Sequence, residues 1–129
     1  MTVAPETEIA VVNRYRLLSG REPFRAAAHA LAGRVEAEGH PGILSYRFYA
    51  PEVLDEARLI ARYPDAESLV GHHDLAMGWP EMVAFRHVAA LERVELYGTV
   101  TDAMRDWIDR MGLAGRVWCA GQQWAGFGR

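Results

Sequence analysis

A handful of side chains in this 129-residue sequence are of the types, and at the spacings, that do chemistry. Asn13 falls in the middle of Ile9-Ala10-Val11-Val12-Asn13-Arg14-Tyr15-Arg16, a run that otherwise reads as a strand. Asn is disfavoured there, and a buried amide requires partners. It is therefore a satisfied structural amide or a group that holds a substrate oxygen or a peroxy species. His72 and His73 are adjacent on a helical stretch. Neighbours on a helix point about 100° apart, so one of them is expected to face a cavity. Histidine titrates near neutrality, which suits His72 to proton exchange as a general base. The plain alternative is an exposed helix histidine. Trp79, between Gly78 and Pro80, sits in a loop that could lid a cavity or simply pack. Tyr46, Phe48, Tyr49 and Tyr63 could line a flat aromatic pocket, or belong to core or interface. Arg47 and Arg62 could hold a phenolate or carboxylate, or be solvated strand residues.

Composition narrows the field. Formal net charge is −3, Lys is absent and the arginines are scattered, so no basic surface for nucleic acid is advertised. An all-Arg cationic set suggests a GC-rich bacterial genome. The single cysteine, Cys119, allows no internal disulfide and fits a reducing cytoplasm. Residues 1–8 carry neither a basic start nor an apolar run, so no signal peptide is expected. No stretch approaches the roughly 20 apolar residues that span a bilayer. His72, His73, Asp74 and the distant His87 do not make a metal-ligand spacing. The Gly-rich stretch 121–129 lacks phosphate-loop spacing. The expectation is no metal-ligand set, no nucleotide loop, no nucleic acid and no membrane.

The elements that must position these residues follow from periodicity. Ile9, Val11, Asn13 and Tyr15 share a strand face, after residues 1–7 that read as a disordered tail. Pro23 suits a first helical residue, and Phe24, Ala27, Ala28, Leu31 and Val35 keep helical spacing until Gly39 and Pro41. Residues 43–50 and 56–63 read as a hairpin. Asp65 caps a second helix bearing Leu69, Val70 and the histidine pair. A short helix over 81–90 turns Met82, Phe85 and Val88 inward, and 91–100 forms a fourth strand. Thr101 or Asp102 caps a helix with Met104, Trp107, Ile108 and Met111, and 116–120 suits a fifth strand. Through residue 100 the order is β-α-β-β-α-β, the split, ferredoxin-like α+β arrangement with an antiparallel sheet. Tyr46, Phe48 and Tyr63 are expected on the sheet face away from the helices. A sheet apolar on both faces needs a second cover, which predicts a homodimer with sheets packed face to face.

Three stretches carry a family likeness: Ile9 to Tyr15, Gly42-Ile43-Leu44-Ser45-Tyr46-Arg47-Phe48-Tyr49, and Tyr63-Pro64-Asp65-Ala66-Glu67-Ser68-Leu69-Val70-Gly71-His72. Over residues 8–100 the sequence resembles the antibiotic biosynthesis monooxygenase domain of the dimeric α+β barrel superfamily. Residues 101–129 extend past that domain and are expected to pack on the barrel or on the partner subunit. The resemblance implies a monooxygenase, an oxidoreductase that uses O2 on a small aromatic, quinol or polyketide-like substrate without metal, flavin or haem. It implies Asn13 and His72 as catalytic residues; Tyr46, Phe48, Tyr63, His73, Trp79, Phe85 and His87 are the residues expected around the substrate. Two alternatives stand beside it. One is a non-catalytic small-ligand-binding dimer. The other is a haem-binding relative, because His87 resembles the haem-ligating histidine of related haem-degrading oxygenases. Those enzymes carry tryptophan where this chain has His72.

Overall fold

The computed structural model describes residues 7–52 and 55–129, so the tail expected over 1–7 lies, except for Thr7, outside the described residues. The elements run β1 (Ile9–Leu17), α1 (Arg21–Glu38), β2 (Ser45–Tyr49), β3 (Glu56–Tyr63), α2 (Ala66–Ala76), α3 (Pro80–Val88), β4 (Ala89–Tyr97), α4 (Asp102–Arg110) and β5 (Val117–Gly121). α1 begins ahead of Pro23, which falls in the first turn, where a missing N–H has no helical partner to lose. The Asp65 carboxylate caps α2 by accepting from the Ser68 N–H at 2.8 Å, and the Thr101 hydroxyl caps α4 by accepting from the Met104 N–H at 3.2 Å.

The strands form one open sheet in the order β2-β3-β1-β4-β5. β1 lies between β3 and β4 and is antiparallel to both, and β2 is antiparallel to β3. This is the expected ferredoxin-like arrangement. β5 departs from it: it runs parallel to β4, so the sheet is mixed. The cause is α4, which carries the chain back to the end where β4 began, as a parallel connection requires. Gly98 turns the chain out of β4 at φ +131°, and a Cβ there would lie 2.6 Å from the Glu8 carbonyl oxygen, so no side chain fits.

The helices cover one sheet face. Ile9, Val11, Asn13, Tyr15 and Leu17 of β1 point into that layer, as do Ala57, Leu59, Ala61 and Tyr63 of β3. Tyr46 and Phe48 point the same way: Phe48 meets Phe24 and Phe85, and Tyr46 meets His72. The expectation that Tyr46, Phe48 and Tyr63 make the other face greasy is therefore corrected. The open face carries Arg47, Arg58, Arg62, Arg14, Arg16 and Arg93, with Glu56, Glu92 and Glu95 pairing several of them. Its apolar part is smaller: Val12 beside Ile60 in register, with Tyr97 and Trp118 towards the β5 edge. No helix among the described residues is long and apolar enough to cross a membrane.

Candidate active site

Between sheet and helices lies a cavity of about 430 Å³. Its floor is β1 and β3. The two-residue alternation of β1 drives Asn13 inward between Val11 and Tyr15, where it is 6% exposed. The Asn13 Nδ2 donates to the Tyr15 hydroxyl at 3.0 Å, and the Asn13 Oδ1 has no partner among the described residues. The roof comes from α2, α3 and α4. His72 is 1% exposed, with its ring centroid 5.4 Å from that of Tyr46 and 6.0 Å from that of Tyr63. Gly71 lets the His40 ring lie against α2, since a Cβ there would be 2.9 Å from its Cδ2.

His72 and His73 both line the cavity, although helical spacing suggested that one would face away. The reason is α4, which packs on α2 and adds a second wall. The Trp107 ring stands 4.7 Å from that of His73, and Trp107 is itself 1% exposed. The Nδ1 atoms of both histidines and the Nε1 of Trp107 are shut from solvent without a hydrogen-bond partner among the described residues. Buried polar atoms of this kind are rare in proteins, and four around one cavity mark a place where a polar molecule belongs.

Burial sets the protonation states. Desolvation, and then the nearby His40, push His72 down to about 4, and desolvation with His72 pushes His73 down to about 3. The sequence reading of His72 as a group titrating near neutrality is thus corrected: removing an imidazolium from water disfavours it. Desolvation raises Tyr15 to about 12, against a small opposing effect of its bond to Asn13, and raises Tyr46 and Tyr63 well above the ordinary phenol value. At neutral pH the interior holds neutral imidazoles and neutral phenols. They can donate and accept hydrogen bonds, and the imidazoles can take up a proton from a sufficiently acidic guest.

Of the residues singled out in the sequence, Asn13, Tyr46, Tyr63, His72, His73 and Phe85 line this cavity. Phe48 lies behind it, lining a surface groove of about 320 Å³ with Phe24 and Tyr49. Trp79 is buried at the start of α3 under the Arg34 guanidinium, 4.6 Å from the ring centre, so it packs rather than lids. His87 is exposed on α3 and outside the cavity. Arg47 and Arg62 stand on the open sheet face, beyond reach of the site. Sequence reasoning missed Tyr15, Met77, Met82, Arg86, Trp107 and Arg116 as lining residues. For Tyr15 the signal was present, since it shares the Asn13 face. Among the described residues no three His, Cys, Asp or Glu side chains converge as a metal site.

No family model matches the chain, and no curated protein does. Solved structures do. MupZ from Pseudomonas fluorescens superposes with a TM-score of 0.73 at 18% identity, over 95% of each chain. SnoaB from Streptomyces nogalater, described as a cofactor-independent oxygenase, gives 0.56 at 18% identity, over 74% of this chain and 95% of that one. A candidate antibiotic biosynthesis monooxygenase from Caulobacter crescentus CB15 gives 0.54 at 18%, over 75% of this chain and 93% of that one.

Proposed function

We propose that this chain, which shares the fold of the antibiotic biosynthesis monooxygenases, is a cofactor-independent monooxygenase of phenols and quinols, with Asn13 and His72 at its centre. The observation that carries this is the cavity between sheet and helices that reaches both residues, with its histidines and tyrosines held neutral. SnoaB, an oxygenase by description, supports testing this chemistry first. Triplet oxygen reacts poorly with closed-shell organics, but a phenolate or enolate can give it one electron. The protein's part is then to bind the acid form, take its proton, and keep the carbanionic guest dry beside O2. In balanced form, a phenol and O2 give a quinone and water: one oxygen atom enters the ring and the other leaves as water.

The His72 value limits the substrate. With the imidazolium near 4, taking a proton from an ordinary phenol near 10 is uphill by about 8 kcal/mol. A hydroxyl acidified by a conjugated carbonyl narrows that gap. Asn13, with its free Oδ1 and its link to Tyr15, orients the guest oxygen. Self-association through the open sheet face is part of the same proposal. Val12 and Ile60 form its apolar centre, inside a ring of Arg and Glu that can exchange partners across a two-fold axis.

The test is oxygen uptake by metal-free protein with hydroquinone and with acetylhydroquinone, against autoxidation in buffer. Uptake is expected with the acetyl compound, and is expected to fall at least tenfold in His72→Ala and Asn13→Ala. Uptake no faster than in buffer, or equal in all three proteins, would falsify the proposal.

A further inference from the structure

The geometry points to a cavity ligand with an apolar body and one carboxylate, held at the mouth by Arg86 and Arg116. The inference rests on the reading above in one respect, that this cavity is the ligand site. Among the lining residues Arg86 and Arg116 are the exposed ones, so they mark where the cavity opens. They are also its only formal charges at neutral pH, because no Asp or Glu lines it and the imidazoles and phenols inside are neutral.

Arg86 donates to the Met77 carbonyl at 3.2 Å and to the Met77 sulfur at 3.6 Å. Arg116 donates to the carbonyls of Leu91 at 3.1 Å and Gly112 at 3.4 Å. These neutral acceptors aim each guanidinium without cancelling its charge. Most arginines of the chain meet a carboxylate, but among the described residues these two do not. Two uncompensated cations therefore stand on the exposed part of the lining of an otherwise uncharged, mainly apolar chamber. A guanidinium carries five N–H donors and binds planar oxyanions as a fork. Each terminal nitrogen here already donates once, which leaves each guanidinium three N–H donors, enough to hold both oxygens of a carboxylate. The cavity thus selects by its mouth as well as by its interior: the apolar body enters, and the acid stays at the rim, where it keeps part of its hydration.

Titration calorimetry of the whole chain with 2-naphthoate, 2-naphthol and 2-naphthyl phosphate tests this, because the three share one body. Naphthoate is expected to bind about tenfold tighter than naphthol, the equivalent of roughly 1.4 kcal/mol. Arg86→Gln and Arg116→Gln are each expected to lose several-fold of the naphthoate affinity and none of the naphthol affinity, and Arg86→Lys to keep most of it. Both side chains are exposed, and a thermal melt of each variant confirms that the fold is intact. Equal binding of acid and alcohol, a tighter phosphate, no binding of any of the three, or an acid preference that survives in the Arg86→Gln/Arg116→Gln double variant would overturn the inference. Affinity is read without turnover. A protein that prefers naphthoate yet takes up no oxygen refutes the oxygenase reading alone, and one that oxidises quinols without an acid preference refutes this inference alone.

Discussion

Acid should unfold this protein through its two cavity histidines. His72 and His73 are held down to about 4 and about 3, whereas in the unfolded chain both return to their ordinary 6.5. Between those limits the unfolded state binds more protons than the folded one. Stability therefore rises with pH through the window from about 4 to 6.5, and is lost as the pH falls through it. Integrating for His72 alone gives a loss of about 2–3 kcal/mol between pH 7.5 and pH 4.5, and His73 contributes a similar amount. A loss of about 5 kcal/mol is large against the 5–15 kcal/mol that holds a typical domain together. Urea denaturation followed by circular dichroism at pH 7.5, 5.5 and 4.5 measures it. His72→Gln keeps a polar side chain but cannot titrate, so its stability should fall by about 2–3 kcal/mol less than that of the parent over the same range. A parent whose stability is flat from pH 7.5 to 4.5, or a variant that falls as steeply, would refute the argument that burial holds these imidazoles neutral.

Three further outcomes follow from the packing. Trp107→Ala removes a ring that is 1% exposed and walls the cavity beside His73, so it should cost about 3–5 kcal/mol in urea denaturation. Gly98→Ala puts a methyl group 2.6 Å from the Glu8 carbonyl at a backbone φ of +131°, and a lowered melting temperature is expected, whereas Gly33→Ala on the exposed side of α1 should leave it unchanged or raise it. Ile60→Arg plants a charge in the apolar centre of the open face. Light scattering after gel filtration should find a dimer for the parent and a monomer for the variant, and a monomeric parent at micromolar concentration would remove the dimer from the proposal.

Much of the fold was legible because one face of most elements is buried. The alternation in β1 and β3 and the Phe24, Ala28, Leu31, Val35 stripe of α1 each fix an element and its inner side. A two-residue period does not say which side of the sheet a face belongs to, and that is where the reading of Tyr46, Phe48 and Tyr63 went astray. The signal was in their neighbours: Arg47, Arg58 and Arg62 alternate with them, and charges that dense belong on the side without helices. The parallel pairing of β5 could not be read locally, since five residues give no strand direction. The site was half legible for the same reason. Asn13 and His72 are conspicuous by residue type, but Trp107 and Arg116 join them only once α4 folds back on α2, and Arg86 only once α3 packs on α1, which no local pattern encodes. The lowered titration of the histidines is likewise a property of that enclosure and not of the residues themselves.

The most direct measurement follows the heavy isotope from labelled dioxygen into product. Metal-free protein turning over acetylhydroquinone should give a product carrying one labelled oxygen atom, with the second appearing in water, and His72→Ala should give neither above the buffer background. A product whose new oxygen comes from unlabelled water, or equal labelling by the parent and by His72→Ala, would contradict the account.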